Sequence, residues 1–407
     1  MRIASAYIDI TPENEFYLVG YFNEARSFPA AGVHDTPYCV GLLLEEDDVQ
    51  ILFLSLDVCV ITRNKMEPVK VLIEKKTGIP KENIIMNSIH SHSCPNGLDD
   101  SDIANHKNEK YYQLVKQKCA ELATGLSKHL MPATAEIGKI WIEGFYGNRN
   151  NPEEKADLTA YRIIFKDDSQ EMTGQILNLN CHSTVLGNQN MELSTDLLGN
   201  IRQKLFEQDG IMPYVINGAS ADISNRNFRK GNDYAELNRV AEGVSSQLLS
   251  IRDYELLSFK NLSIKQAEYT VQYDNTVNFS KLLELKKELE MELQQEITAD
   301  EYKLKESELL MVNVKLSHPE IYREVKCNII SADDFTIVTF PGELANRFST
   351  QLKNTSKKKY LFMICYADDY LGYFMNQEMY GKCYECTASY LPKGETEKII
   401  QKLETYL

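Results

Sequence analysis

The chain has 407 residues, 43% of them hydrophobic, enough to build one large globular unit or two ordinary ones around a buried core. Its 59 acidic against 44 basic side chains leave a formal net charge of −15, and no basic stripe interrupts it; nucleic acid and anionic membrane surfaces are excluded as natural partners because both would be repelled. Nine cysteines, an odd number at irregular spacing, read as reduced thiols rather than a disulfide framework, and the lone Cys-x-x-Cys, Cys383-Tyr384-Glu385-Cys386, reads as two ordinary thiols.

Met1 to Ile10 alternates like a strand and lacks the long apolar core of a signal peptide. The most apolar window, Val49 to Ile61, contains Ser55 and Asp57 and is too short to span a bilayer, so a cytoplasmic protein without a stable membrane anchor is expected. Gly20-Tyr21-Phe22 and Gly32-Val33-His34-Asp35-Thr36-Pro37 form a polar, turn-rich loop. Strands follow at Tyr38 to Leu44 and Gln50 to Val58, joined by the acidic turn Glu45-Glu46-Asp47-Asp48. Asn64 to Lys76 has helical spacing and stops at Thr77-Gly78-Ile79-Pro80. The apolar run Ile84-Ile85-Met86 then leads into Asn87-Ser88-Ile89-His90-Ser91-His92-Ser93-Cys94-Pro95, which reads as the carboxyl end of a strand. Alternate side chains of a strand share a face, which puts His90 and His92 together roughly 6–7 Å apart. Two such imidazoles can share a metal, or one can bind it while the other moves protons; a bare His-x-His is also an ordinary polar strand end.

Lys110 to His129 has helical period. Strands are predicted at Ala133 to Ile142, Leu158 to Phe165 and Gly174 to Cys181, and the irregular Gly144 to Pro152 stretch separates the first two. A helix from about Asp196 to Gln208 follows, then the strand Met212 to Ile216, a polar loop from Asn217 to Asn227, and a helix from about Tyr234 to Ser250. Phe259 to Tyr273 alternates like a strand. Phe279 to Leu310 is rich in Lys, Glu and Leu and reads as two charged helices broken near Thr298-Ala299-Asp300, either a solvated hairpin packed by one face or a lid over a site. Strands return at Val325 to Ile330 and Phe335 to Phe340. Pro341-Gly342-Glu343-Leu344 then opens a helix to about Lys353, and Tyr360 to Tyr366 is a final strand. The pattern predicts an α/β fold, mixed β-sheets flanked by helices with a charged helical insertion around 279–310, and strands of one character on both sides of that insertion favour a single domain over 1–407.

His90, His182, Ser224, Glu343 and the Tyr370/Tyr373 stretch all fall at or just beyond the end of a predicted strand, the place where α/β proteins commonly set ligand groups. The chain also carries, in this order, Ala6-Tyr7-Ile8-Asp9-Ile10-Thr11-Pro12, Gly20-Tyr21, Gly32-Val33-His34-Asp35, Ser55-Leu56-Asp57, His90-Ser91-His92-Ser93, Gly147-Asn148-Arg149, Cys181-His182-Ser183-Thr184-Val185-Leu186, Asn217-Gly218, Ser224, Phe340-Pro341-Gly342-Glu343, Asp369-Tyr370-Leu371-Gly372-Tyr373 and Tyr384-Glu385. Together these motifs resemble the catalytic domain of the neutral ceramidase family of zinc amidases, across nearly the whole chain. The resemblance implies Zn2+ held by His90, His182 and Glu343, with Tyr373 as a fourth ligand and Tyr370 as its substitute. It implies His92, Arg149 and Ser224 as catalytic residues and Gly20, Asn217 and Tyr384 as substrate-binding ones. The family's trailing immunoglobulin-like domain is not expected here.

The residue chemistry accords with those roles. Two imidazoles and a carboxylate form a catalytic zinc set that leaves room for water, and a dication at contact distance favours the phenolate of a tyrosine. Zinc lowers the pKa of its water from about 15.7 towards 7 and polarises a carbonyl. His92 would take the water proton and return it to the departing amine, and Arg149 would hold substrate oxygen or a developing oxyanion. Ser224 would be a nucleophile or an orienting group, the latter favoured beside a zinc hydroxide. Taken singly, Glu343 reads equally as a helix-opening carboxylate, Arg149 as a solvated surface group, and Ser224 and Asp222 as turn formers. Two departures from the family bear on substrate: Cys94 stands where the family has glycine, and Ala221-Asp222-Ile223-Ser224-Asn225-Arg226 replaces Gly-Asp-Val-Ser-Pro-Asn. The expected activity is hydrolysis of a linear amide, ceramide or another small or lipid-like N-acyl amine, by zinc-bound water. An esterase or peptidase on the same zinc, or a catalytically silent ligand-binding protein, is the alternative.

Overall fold

The computed structural model describes residues 1–21, 24–99 and 108–407. Three larger sheets carry the architecture. In the first, the strands run in the order Ile84–Ser88, Val49–Leu56, Tyr38–Glu46, Arg2–Asp9 and Met131–Pro132. The second orders Tyr214–Asn217, Met172–Leu179, Thr159–Lys166, Thr134–Trp141 and Glu255–Leu256, and the third Ser263–Asp274, Glu320–Ser331, Phe335–Thr339 and Tyr360–Ile364. Hairpin neighbours pair antiparallel, as in Ile3 opposite Leu44 and Val325 opposite Tyr269. Each sheet also contains one parallel pair, Val49–Leu56 with Ile84–Ser88, Met172–Leu179 with Tyr214–Asn217, and Phe335–Thr339 with Tyr360–Ile364. A parallel pair needs a crossover between its strands, and the helices Arg63–Thr77, Asp196–Asp209 and Asn346–Thr355 lie in those crossovers.

The three parallel pairs meet at the centre of the molecule. Ser55 Oγ and Asn87 Nδ2 both donate to the Val215 carbonyl, at 3.0 and 3.2 Å, which ties the first sheet to the second. The Cys365 N–H donates to the Asn217 carbonyl (2.9 Å) and the Ser88 N–H to the Tyr366 carbonyl (3.2 Å), closing the triangle with the third. One hydrophobic cluster runs through all three, with Ile3, Leu42, Phe53, Ile163, Phe165, Tyr214, Ile330, Phe335 and Phe362 among its members. Each large side chain so buried contributes about 1.5–3 kcal/mol by leaving water.

The helices cover this assembly by amphipathic faces. In Tyr234–Leu249 the residues Leu237, Val240, Ala241, Val244 and Leu248 form a buried stripe at helical spacing, started by Asp233, whose side chain accepts from the Glu236 N–H. Arg63–Thr77 ends at Gly78, whose φ of +79° lies in the left-handed region that favours glycine. The insertion folds as two helices, Phe279–Glu292 and Ala299–Leu316, and the second begins with a reciprocal capping box between Thr298 and Glu301. Among the described residues no helix is long and apolar enough to cross a membrane. All nine cysteines are free; Cys383 and Cys386 lie with their sulfurs 3.2 Å apart.

Two local expectations are corrected. The strand before the histidines ends at Ser88, and His90 adopts φ +62° rather than continuing it, because the Ile89 and His90 N–H groups turn to bond the Leu56 and Val58 carbonyls. Glu343 does not open a helix: Glu343–Leu344 is a two-residue strand pairing parallel with Tyr373–Phe374, and the helix starts at Asn346. The Phe22 part of the first predicted loop lies outside the described residues.

Candidate metal centre and active-site cavity

The carboxyl ends of the three parallel pairs deliver His90, His182 and Glu343 to one point. The His90 Nδ1 sits 2.9 Å from the Cys59 carbonyl, which leaves Nε2 facing inward, and the ring stacks on Tyr366 at 4.2 Å between centroids. His182 is held the same way, its Nδ1 2.6 Å from the Ser220 carbonyl and its N–H donating to Ile223. An isolated parallel bridge between Ser91 and Ser183 ties the two histidine loops together. Glu343 accepts a 2.6 Å hydrogen bond from the Tyr370 hydroxyl through Oε1. At the preceding Gly342 a Cβ would stand 2.5 Å from the Gly372 carbonyl, so only glycine permits this approach of the Glu343 and Tyr373 strands.

These three side chains fit a divalent cation. Their donor atoms lie within 4.8 Å of one another and all three residues are buried. His182 Nε2 and Glu343 Oε2 are 3.0 Å apart but misaligned, and among the described residues neither has a hydrogen-bond partner. A buried donor set left unsatisfied in this way is expensive unless something fills it. Both imidazoles have their second nitrogen anchored on a backbone carbonyl, the arrangement that orients metal-binding histidines. Burial pushes His90 down to about 4, so its ring is neutral at pH 7 and Nε2 can offer a lone pair. Burial alone would raise Glu343, but the imidazoles of His90 and His182 and the Tyr370 hydroxyl outweigh it and hold the carboxyl at about 2. Cys59, His90 and His92 form a second group of converging donors, and burial holds the Cys59 thiol well above the ordinary range.

His92 stands beside this centre, its Nε2 3.1 Å from that of His90. The two rings converge far more closely than a regular strand would bring them, a consequence of the left-handed backbone at His90. Tyr21 meets the His92 ring edge-on at 5.0 Å. Gly20 lines the cavity and leaves space for His92: a Cβ there would lie 2.6 Å from His92 Cα, Cβ and Cγ, and its φ is +102°. Gly20→Ala is expected to lower stability by about 1–3 kcal/mol through this overpacking and strain, read as a shift in urea midpoint. An unchanged midpoint would mean that the His92 loop yields freely.

Arg149 faces the centre from the other side. It is nearly buried; its Nε donates to Glu385 Oε1 at 2.6 Å and its Nη2 to the Tyr373 hydroxyl at 3.4 Å. Burial opposes its charge, but Glu385 and then Tyr373 reverse the balance and keep the guanidinium firmly protonated. Glu385 is held ionised in turn by Arg149 against the pull of burial, and Asn150 Nδ2 donates to its second oxygen at 3.0 Å. Sequence reasoning quoted Glu385 as part of a motif but gave it no role, since nothing local links it to Arg149, 236 positions away. The two tyrosines divide: Tyr370 bonds Glu343, while Tyr373 bonds Arg149, and both line the cavity. Tyr384 joins them, its ring 6.1 Å from that of Tyr373.

Ser224 also lines the cavity, and its Oγ accepts from the Arg226 N–H at 3.2 Å. Asn217 lies elsewhere: it is fully buried beneath the site, donating to the Ile89 carbonyl and accepting from Ser220 Oγ, and so supports both histidine loops from behind. Asp222 is structural, accepting from the Asn346 N–H (2.8 Å) at the helix start and from Asn148 Nδ2 (3.2 Å). The cavity measures 1410 Å³. The helix Ala299–Leu316 forms part of its wall through Leu304, Leu310, Met311 and Val314, so the charged insertion is more than a solvated hairpin.

No family model matches the chain, and no curated protein matches it. Solved structures do. The neutral ceramidase from Pseudomonas aeruginosa superposes with a TM-score of 0.74 at 16% identity, over 99% of this chain and 73% of that one. A ceramidase complexed with C2 gives 0.74 at 15% identity, over 99% of this chain and 74% of that one. With His90, His182 and Glu343 gathered at the ends of its three sheets, the chain has the neutral ceramidase fold.

Proposed function

We propose that the chain is a zinc-dependent hydrolase that cleaves a linear amide, ceramide or another N-acyl amine. The observation that carries this reading is the meeting of three buried candidate donors, two of them with unsatisfied atoms, with His92 on one flank and Arg149 on the other. His90, His182 and Glu343 would hold the ion, with Tyr373 as a fourth ligand and Tyr370, which already bonds Glu343, as its substitute. Zinc in such a set acts as a Lewis acid and supplies hydroxide at neutral pH. Arg149 would act as the donor for the oxyanion that develops on the substrate carbonyl. His92 would accept a proton on a ring nitrogen and give it to the departing nitrogen, without which an amine leaves slowly. Ser224, whose Oγ accepts from the Arg226 N–H, would orient the substrate. The apolar side chains of the helix Ala299–Leu316 suit an acyl chain.

Elemental analysis of protein purified without added metal tests the centre, with wild type and His182→Ala compared side by side. About one zinc per chain, lost in the variant, is expected. Wild type without metal, or full retention in the variant, would remove the metal-dependent reading. Turnover of ceramides and simpler N-acyl amines against the matching esters then separates an amidase from an esterase.

A further inference from the structure

Eight of the nine cysteines are buried; Cys383 alone is partly exposed, and its thiol donates to the Cys386 sulfur at 3.2 Å. The two bracket the first turn of the short helix Tyr384–Ala388, where positions three apart share a face. An approaching oxidant therefore meets Cys383 first, with a second thiol already in contact behind it. Cys39 and Cys119 also lie close, with sulfurs 3.7 Å apart, but both are buried in the core and out of such reach.

Between Cys383 and Cys386 the chain carries two residues engaged with the site. Tyr384 lines the cavity, and Glu385 accepts from Arg149 Nε at 2.6 Å and from Asn150 Nδ2 at 3.0 Å. Beyond Cys386 the segment is pinned. Thr387 Oγ1 donates to Glu308 Oε1 at 2.7 Å, Lys315 Nζ donates to the Thr387 carbonyl, and Ser389 Oγ donates to the Tyr373 carbonyl at 2.7 Å. Two thiols in contact must draw together by about 1 Å to become a disulfide. With the far side held by the insertion helix Ala299–Leu316 and by Tyr373, that movement falls on the turn that carries Tyr384 and Glu385, and through Glu385 on the Arg149 guanidinium.

We propose, building on the hydrolase reading above, that Cys383 and Cys386 form a reversible modification site whose disulfide displaces Glu385 and so draws Arg149 away from the position in which it meets the substrate carbonyl. The oxidant is a small disulfide such as glutathione disulfide. The Cys383 sulfur attacks it and expels one thiol, and the Cys386 sulfur then attacks Cys383 and expels the second. Two S–H bonds are lost and one S–S bond forms, and the two protons and two electrons leave with the released thiols. The bond to Cys386, and then burial, raise the Cys383 thiol, so the first step is slow and the contact between the sulfurs favours the second. Glu385 is a positioning residue in this scheme, acting through Arg149.

The test incubates the purified, metal-bearing chain with glutathione disulfide and then with dithiothreitol. Mass spectrometry after denaturation, alkylation and digestion is expected to show the peptide holding Cys383 and Cys386 lighter by two hydrogen atoms than its reduced, unalkylated form, with the other seven thiols alkylated. Turnover of an N-acyl amide is expected to fall at least about tenfold at constant metal content and to return with dithiothreitol. Cys383→Ser should keep the basal rate and lose the response, because the remaining Cys386 is buried. The Nε–H resonance of Arg149, identified by its absence in Arg149→Lys, should shift on oxidation, and it reports the displacement without any turnover. Failure of this disulfide to form, or a disulfide that leaves the Arg149 resonance and the turnover unchanged, would overturn the proposal. A shifted resonance in a chain that hydrolyses no amide even when reduced would remove the hydrolase reading and leave the modification site and its grip on Arg149 standing.

Discussion

His92→Ala is expected to retain its metal while turnover of an N-acyl amide falls about 10²- to 10⁴-fold, the usual contribution of a positioned general acid–base. The reason lies in how the two neighbouring imidazoles differ. His90 is buried, anchored through Nδ1 on the Cys59 carbonyl and aimed with Nε2 at Glu343 and His182. His92 is only partly buried, lines the cavity, and is absent from the group formed by His90, His182 and Glu343. Removing it should leave the ligands in place and remove the proton path. Metal content and KM should therefore hold while kcat drops, and the loss should be smaller for an activated ester, whose leaving group needs no proton. Loss of zinc in this variant would make His92 a ligand; full turnover would end its assigned role.

Arg202→Ala is expected to cost about 3–5 kcal/mol, the penalty for stranding a buried charge, and to lower the denaturant midpoint without changing the slope. Arg202 grips Asp57 with two bonds, 2.6 and 2.5 Å, and the two side chains are 1% and 0% exposed. Asp57 also accepts from the Tyr38 N–H at 2.7 Å, and its carbonyl accepts from the Cys94 thiol. The pair thus fixes the turn after Val49–Leu56, whose Val58 carbonyl receives the His90 N–H. Replacing both partners by apolar residues should recover much of the loss, because no unpaired ion then remains. A single variant within 1 kcal/mol of wild type would show that water reaches Asp57.

Much of the architecture is legible in the sequence because burial leaves a periodic trace. Ile84-Ile85-Met86, Phe335 to Thr339 and Tyr360 to Ile364 are short apolar runs, and each proves to be a strand buried on both faces. The candidate site residues could be placed at strand ends for the same reason. What escaped is what depends on distant partners. The strand at Glu343 exists only because Tyr373 lies beside it, thirty residues on, and Pro341-Gly342 ahead of it looks like a helix start. Nothing near His90 announces a left-handed backbone, since the bonds that impose it come from Leu56 and Val58. The role of Glu385 depends on Arg149, and Asn217 turned out to brace the loops from below. In the insertion, Leu304, Met311 and Val314 share one helical face, a signal that the surrounding Lys and Glu residues obscure.

The convergence of three sheets has a consequence for assembly. His90, His182 and Glu343 each follow a strand of a different sheet, so a cation gripping all three would close loops roughly ninety and a hundred and sixty residues long. Such an ion acts as a keystone: it binds the finished fold and not a chain in which any one sheet is displaced. Retention of metal would then certify that all three sheets have docked, and loading the ion would be the last act of folding rather than an early one.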